Sequence, residues 1–107
     1  MFQYPTCLSD LVTDVERVGV IKSNGEIVEL KNVSGLPDAG AIISTEDLEH
    51  LDDPETVATW HTHPEGGVQP SQVDIDSFLN WPEHYHLIID RDEVGVYFVL
   101  DDRVVRE

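Results

Sequence analysis

The sequence predicts an α/β domain: one mixed or antiparallel β-sheet with a few helices on its faces. Three observations point there. An Asn24-Gly25 pair separates two strand-like runs early in the chain. Two segments open on a serine followed three residues later by an aspartate, Ser44 with Asp47 and Ser71 with Asp74, which is a helix-capping pattern. Three strand-like runs then close the chain at 85–90, 94–100 and 103–107. Strands, helices and strands again are satisfied by helices packed on a single sheet.

Taken in order, residues 6–14 carry Leu8, Leu11 and Val12 at helical spacing and predict a short helix. The runs 17–22 and 26–33 flank Ser23-Asn24-Gly25, and Asn-Gly between two such runs is a strong hairpin signal. Residues 34–40 read as a loop on their glycine and proline content. Ser44 opens a capped helix through TEDLEHL, with His50 at its C-terminal end, where it complements the helix dipole. VATWH, 57–61, reads as a strand. PEGGVQP, 64–70, holds two glycines and two prolines and cannot be regular structure. Ser71 caps a helix through QVDIDSFLNW, stopped by Pro82. Turns at Arg91-Asp92 and Asp101-Asp102 separate the last three strands.

At 107 residues the chain is read as one small domain, residues 1–107. Its 40% hydrophobic residues suit an ordinary globular domain rather than a disordered segment. No apolar run reaches the ~18 residues that span a bilayer. The N-terminal segment MFQYPTCLSD lacks a basic stretch followed by an apolar one, so no signal peptide is expected. The single cysteine, Cys7, excludes an intramolecular disulfide and any zinc site built on paired cysteines. Twenty-two acidic residues against six basic ones give a formal net charge of -16. Such a surface repels a phosphate backbone, so no nucleic acid is expected as a partner. It suits a high-salt medium, a basic partner, or solubility alone.

The segment with the most chemistry is WHTHPEGGVQPSQVD, 60–74. Side chains alternate along a strand, so His61 and His63 face the same way and can converge on one ion. A catalytic zinc takes three protein ligands and a water. Asp74, in the first turn of a helix that comes after a returning loop, is a candidate for the third. The same aspartate also fits a plain capping role. Trp60 faces away from His61 and reads as core or flank. The histidines of HYH, 84–86, have the same spacing without a nearby Ser/Asp pair; they read as a strand start with one histidine partly exposed. A water on the metal needs a base, and Asp14, Glu16, Glu26 and Glu29 are all candidates that periodicity does not separate.

HTHPEGGVQPSQVD has the form H-x-H-P-x6-S-x-x-D and resembles the JAMM motif of the JAB/MPN metalloprotease domains. The family's second signature, E-x-x-G at the start of a strand, is matched by Glu16-Arg17-Val18-Gly19. Val18 stands where the family usually has a small or sulfur-containing residue. The order of elements also matches over nearly the whole chain. The resemblance implies a JAB/MPN fold with a cytidine-deaminase-like mixed sheet and one Zn2+ held by His61, His63, Asp74 and a water. It also implies Glu16 as general base and Ser71 as the hydroxyl that stabilises an oxyanion. The segment KNVSGLPDAGAIISTEDL, together with the Pro70-Ser71 pair, is most similar to the bacterial and phage-tail branch.

The function implied is hydrolysis of a peptide or isopeptide bond in a protein substrate, a phage tail protein first. The location implied is the cytoplasm or a virion tail. A free-standing desampylase, deubiquitinase-like or sulfur-carrier-processing isopeptidase is the alternative, and a non-catalytic tail component with a retained metal site is the second. Deaminases of related fold take cysteine ligands from P-C-x-x-C, which one cysteine cannot supply.

Overall fold

A computed structural model of the chain describes residues 8–30, 53–64 and 66–107. Six strands form one sheet in the order β2-β1-β3-β4-β5-β6: β1 Val18–Lys22, β2 Ile27–Leu30, β3 Thr56–Thr62, β4 Tyr85–Ile89, β5 Val94–Leu100 and β6 Arg103–Arg106. All neighbouring pairs are antiparallel except β3 and β4, which are parallel and joined through helix α1, Gln72–Asn80. The sheet is therefore mixed, one of the two arrangements the strand pattern allows and the one the family resemblance implies. The short helix expected over 6–14 is a single 3₁₀ turn, Leu8–Leu11. The expected loop at 34–40, the Ser44 helix and His50 lie outside the described residues.

Local chemistry accounts for the turns. Lys22 and Glu26 close the β1–β2 hairpin; Gly25 takes φ +90 and the Asn24 Oδ1 accepts the Glu26 N–H. Asp101 and Asp102 both adopt positive φ, 52 and 62, which a two-residue β5–β6 turn requires and which aspartate tolerates better than most residues.

The sheet buries both faces. On one, Leu8 and Val12 pack with Ile21, Ala58, Trp60, Leu87, Ile89 and Val96. On the other, α1 sends Phe78 against Ile88, Tyr97 and Val68, and Val18, Val20 and Leu30 form a neighbouring cluster. Gly19 is forced by this packing. It pairs with Trp60, and a Cβ there would lie 2.1 Å from the Val28 carbonyl oxygen and 2.5 Å from the Trp60 indole. The glycine of E-x-x-G is thus the floor beneath the Trp60 ring. Trp60 is fully buried, in agreement with its reading as core.

The histidines of 84–86 depart from expectation. Both are buried: His86 because β4 lies in the middle of the sheet between β3 and β5, and His84, just before β4, against the Trp81 ring. His86 stacks on Phe78 with ring centroids 4.4 Å apart. Its Nε2 faces the Trp81 carbonyl at 3.0 Å, and a carbonyl can only accept, so Nε2 carries the proton. Nδ1 then accepts from the Thr59 hydroxyl at 2.7 Å. Both ring nitrogens are spent inside the fold. Burial lowers the His86 pKa to about 4, against the carbonyl bond from Trp81, which raises it.

Candidate metal centre

The β1–β3 register assembles the centre. Val18 pairs with His61, and the ladder continues one rung further through Arg17 and Thr62. At that rung the Thr62 N–H donates to the Arg17 carbonyl, and the Thr62 hydroxyl accepts the Arg17 N–H, each at 2.9 Å. The next residue out from β1 is Glu16, opposite His63. Paired residues in an antiparallel ladder share a face, so Glu16 meets the histidines. Arg17 anchors this entry further, with its guanidinium on Glu29 of β2 and on the Leu11 carbonyl.

Asp74 comes from the N-terminus of α1. Ser71 is the N-cap; its hydroxyl accepts the Asp74 N–H at 3.1 Å, and the Asp74 Oδ2 accepts the Ser71 N–H at 2.9 Å. The capping box and the metal-ligand position are therefore the same carboxylate in one orientation. The helix is the crossover of the parallel β3–β4 unit, and its N-terminus meets the carboxyl end of β3, a recurrent place for ligands in α/β folds.

Three distances define the site. The His61 and His63 Nε2 atoms are 3.2 Å apart. His61 Nε2 lies 3.2 Å from Asp74 Oδ1, and His63 Nε2 lies 3.3 Å from Asp74 Oδ2. A tetrahedral ion with bonds of 2.0–2.1 Å separates its ligand atoms by about 3.3 Å. The donor set, two imidazoles and a carboxylate, is one that zinc takes. Glu16 Oε1 is 4.0 Å from His61 Nε2. Ligand atoms of all four residues fall within 4.8 Å of one another, and together they can hold a metal ion.

The electrostatics reflect this crowding. Burial pushes the Asp74 carboxyl up, but bonds from His61, His63 and the Ser71 N–H hold it well below the usual carboxylate range. Burial pushes His63 down, while Asp74 beside it brings it above its ordinary value. Glu16, His61 and Asp74 are buried, whereas Ser71, Gly66 and Gly67 are exposed, so the centre opens on the Ser71 side.

The second ring nitrogen of His63 is also committed. Nδ1 lies 3.1 Å from the Gly67 carbonyl, which can only accept, so Nδ1 carries a proton and Nε2 is the nitrogen turned to Asp74, His61 and a metal. The loop that supplies this carbonyl is pinned. Val68 is buried, its carbonyl accepts the Tyr97 hydroxyl at 2.6 Å, and Gly67 N–H donates to Asp90 Oδ2 at 2.8 Å.

Glu16, His61, His63 and Asp74, predicted from sequence, are thus brought together, and Ser71 stands beside them as the helix cap. Sequence reasoning missed Thr62, Gly67 and Asp90. The Gly66-Gly67 pair was readable as a site of positive φ, and both residues adopt it, at 93 and 86. Nothing local marks Thr62 or Asp90.

No curated protein matches the chain. Residues 10–101 match the family model described as prokaryotic homologs of the JAB domain, a span that contains the whole centre. The chain belongs to the prokaryotic JAB-domain family.

Proposed function

We propose that the protein is a zinc-dependent metallopeptidase that hydrolyses a peptide or isopeptide bond. The observation that carries this is the triangle of His61 Nε2, His63 Nε2 and Asp74 oxygens at 3.2–3.3 Å with the Glu16 carboxylate beside it. His61, His63 and Asp74 are the residues that would hold the ion. Zinc, when bound, supplies Lewis-acid activation of a water near neutral pH.

The chain's own groups do the rest. Glu16, held at the β1 entry by the Arg17–Thr62 rung, accepts the proton of the attacking water and returns it to the leaving amine. Ser71 accepts the Asp74 N–H through an oxygen lone pair, which leaves its exposed hydroxyl proton to donate to the oxyanion. Asp74 orients Ser71 through the two capping bonds and would also help hold the ion.

We assign the substrate to a protein, with a phage tail protein first. The Pro70-Ser71 pair and the form of the 61–74 segment support that assignment. The test is elemental analysis of purified protein, then incubation with tail proteins and with ubiquitin-like or sulfur-carrier conjugates. Near-stoichiometric zinc and cleavage lost in Glu16→Gln are expected. Protein without zinc, or a Glu16→Gln variant at full rate, overturns the reading. Cleavage of the conjugates alone moves the protein to the isopeptidase alternative.

A further inference from the structure

Asp90 lies just beyond β4, in the connection to β5, and contributes no atom to the metal triangle. It is nonetheless buried, 6% exposed, in a chain whose acidic residues have ample surface to occupy. Its two oxygens divide their work. Oδ1 accepts the N–H groups of Asp92 and Glu93, at 2.7 and 2.6 Å, which closes the β4–β5 turn. Oδ2 accepts the N–H of Gly67, on the loop between β3 and α1, at 2.8 Å. Burial pushes the Asp90 carboxyl up, and these three donors hold it below its ordinary value, so it is ionised and accepts only.

Gly67 passes the contact on. Its N–H goes to Asp90 and its carbonyl accepts from His63 Nδ1 at 3.1 Å. A φ of +86 aims the two groups. Among the described residues no atom lies within 4 Å of where a Cβ would be, so backbone conformation rather than space selects glycine. The residue before Asp90 grips the same loop from its other end, where the His63 N–H donates to the Ile89 carbonyl at 2.9 Å. The β4 terminus thus fixes the His63 backbone directly and the His63 ring through one glycine.

We propose that Asp90 is a positioning residue for the metal centre: through Gly67 it locks His63 in the Nδ1–H tautomer with Nε2 turned toward Asp74 and His61. This rests on the metal reading of that centre. Partners that orient metal-ligating histidines are typically worth 10–100-fold in metal affinity.

Asp90→Asn separates this role from turn closure. The amide oxygen keeps the Asp92 and Glu93 N–H groups, and the amide NH2 then meets the Gly67 N–H, donor against donor. The reverse orientation would lose two bonds to keep one. Zinc titration against a competing chelator is expected to show affinity 10–100-fold below wild type. Nitrogen-detected NMR of the metal-free proteins at alkaline pH, where the ring is neutral, is expected to show less proton on His63 Nδ1 in the variant than in wild type. Val96→Ala, which trims the core on the other face of the sheet, is the comparator; it lowers stability and leaves the His63 tautomer as in wild type. Wild-type zinc affinity together with a wild-type His63 signature in Asp90→Asn overturns the relay. If the wild type takes no zinc, the metal reading fails, and the ring-nitrogen signature still decides whether Asp90 orients His63.

Discussion

The second histidine pair offers a pH test that does not depend on the metal. His86 is 1% exposed and stacked on Phe78, with a carbonyl on Nε2 and the Thr59 hydroxyl on Nδ1. Protonating it would put a charge in the core and break the Thr59 bond, since Nδ1 could no longer accept. Its pKa falls from 6.5 to about 4. The unfolded chain therefore takes up a proton before the folded one does, and stability falls as pH drops through that window. The loss is about 2 kcal/mol by pH 5 and on the order of 3 kcal/mol by pH 4. Above about pH 7.5 the group is neutral in both states and contributes almost no slope. The assay is an NMR titration of the His86 ring in metal-free protein, paired with urea unfolding at pH 7 and pH 5. His86→Gln is the reference: whatever its absolute stability, its pH slope lacks this contribution. A His86 midpoint above pH 6, or equal slopes for the two proteins, refutes the claim that the ring is held neutral by the fold.

Further expectations concern the centre and its supports. Glu16→Gln keeps its zinc and loses roughly 10²–10⁴ in rate, read by metal analysis and cleavage of the same preparation. Ser71→Ala costs about 1 kcal/mol in urea unfolding from the lost cap; a further loss on the order of 10²–10³ in rate separates the oxyanion role from capping alone. Gly19→Ala forces β1 away from β2 and the Trp60 indole, with a destabilisation of about 1–3 kcal/mol or more, and a wild-type urea midpoint would contradict the packing argument. Thr62→Val keeps the shape of the side chain but strands the Arg17 N–H, costing about 1–3 kcal/mol; it should lower the rate more than the zinc affinity, because it displaces Glu16 rather than a ligand.

What the sequence makes legible depends on how far each signal reaches. His61 on β3 with His63 just beyond it, the Ser71 cap and the Asn24-Gly25 hairpin are local patterns, and each is found where its pattern places it. Glu16 is different. It is 45 residues from His61, and only the pairing of Val18 with His61 brings it to the centre. No periodicity within either segment encodes that register, which is why the motif resemblance, and not the strand pattern, separates Glu16 from the other carboxylates. The burial of His86 escapes a local reading for a related reason. Exposure of a strand residue depends on where the strand sits in the sheet, and the parallel pairing of β4 with β3 makes it an interior strand.

The two His-x-His pairs show what makes such a pair a candidate site. His86 spends both ring nitrogens on Thr59 and Trp81, inside the core. His63 spends one nitrogen on Gly67 and turns the other toward His61 and Asp74. The spacing along the strand is identical. The difference lies in the chain just beyond each pair. After His63 comes a loop whose glycines take positive φ, bringing a carbonyl to Nδ1 and the α1 N-terminus, with Asp74, to Nε2. After His86 the strand simply continues to Ile89. The metal reading of the first pair therefore stands on the loop and helix cap as much as on the histidines. A substitution that moves Gly67 should impair the centre even though it removes no ligand.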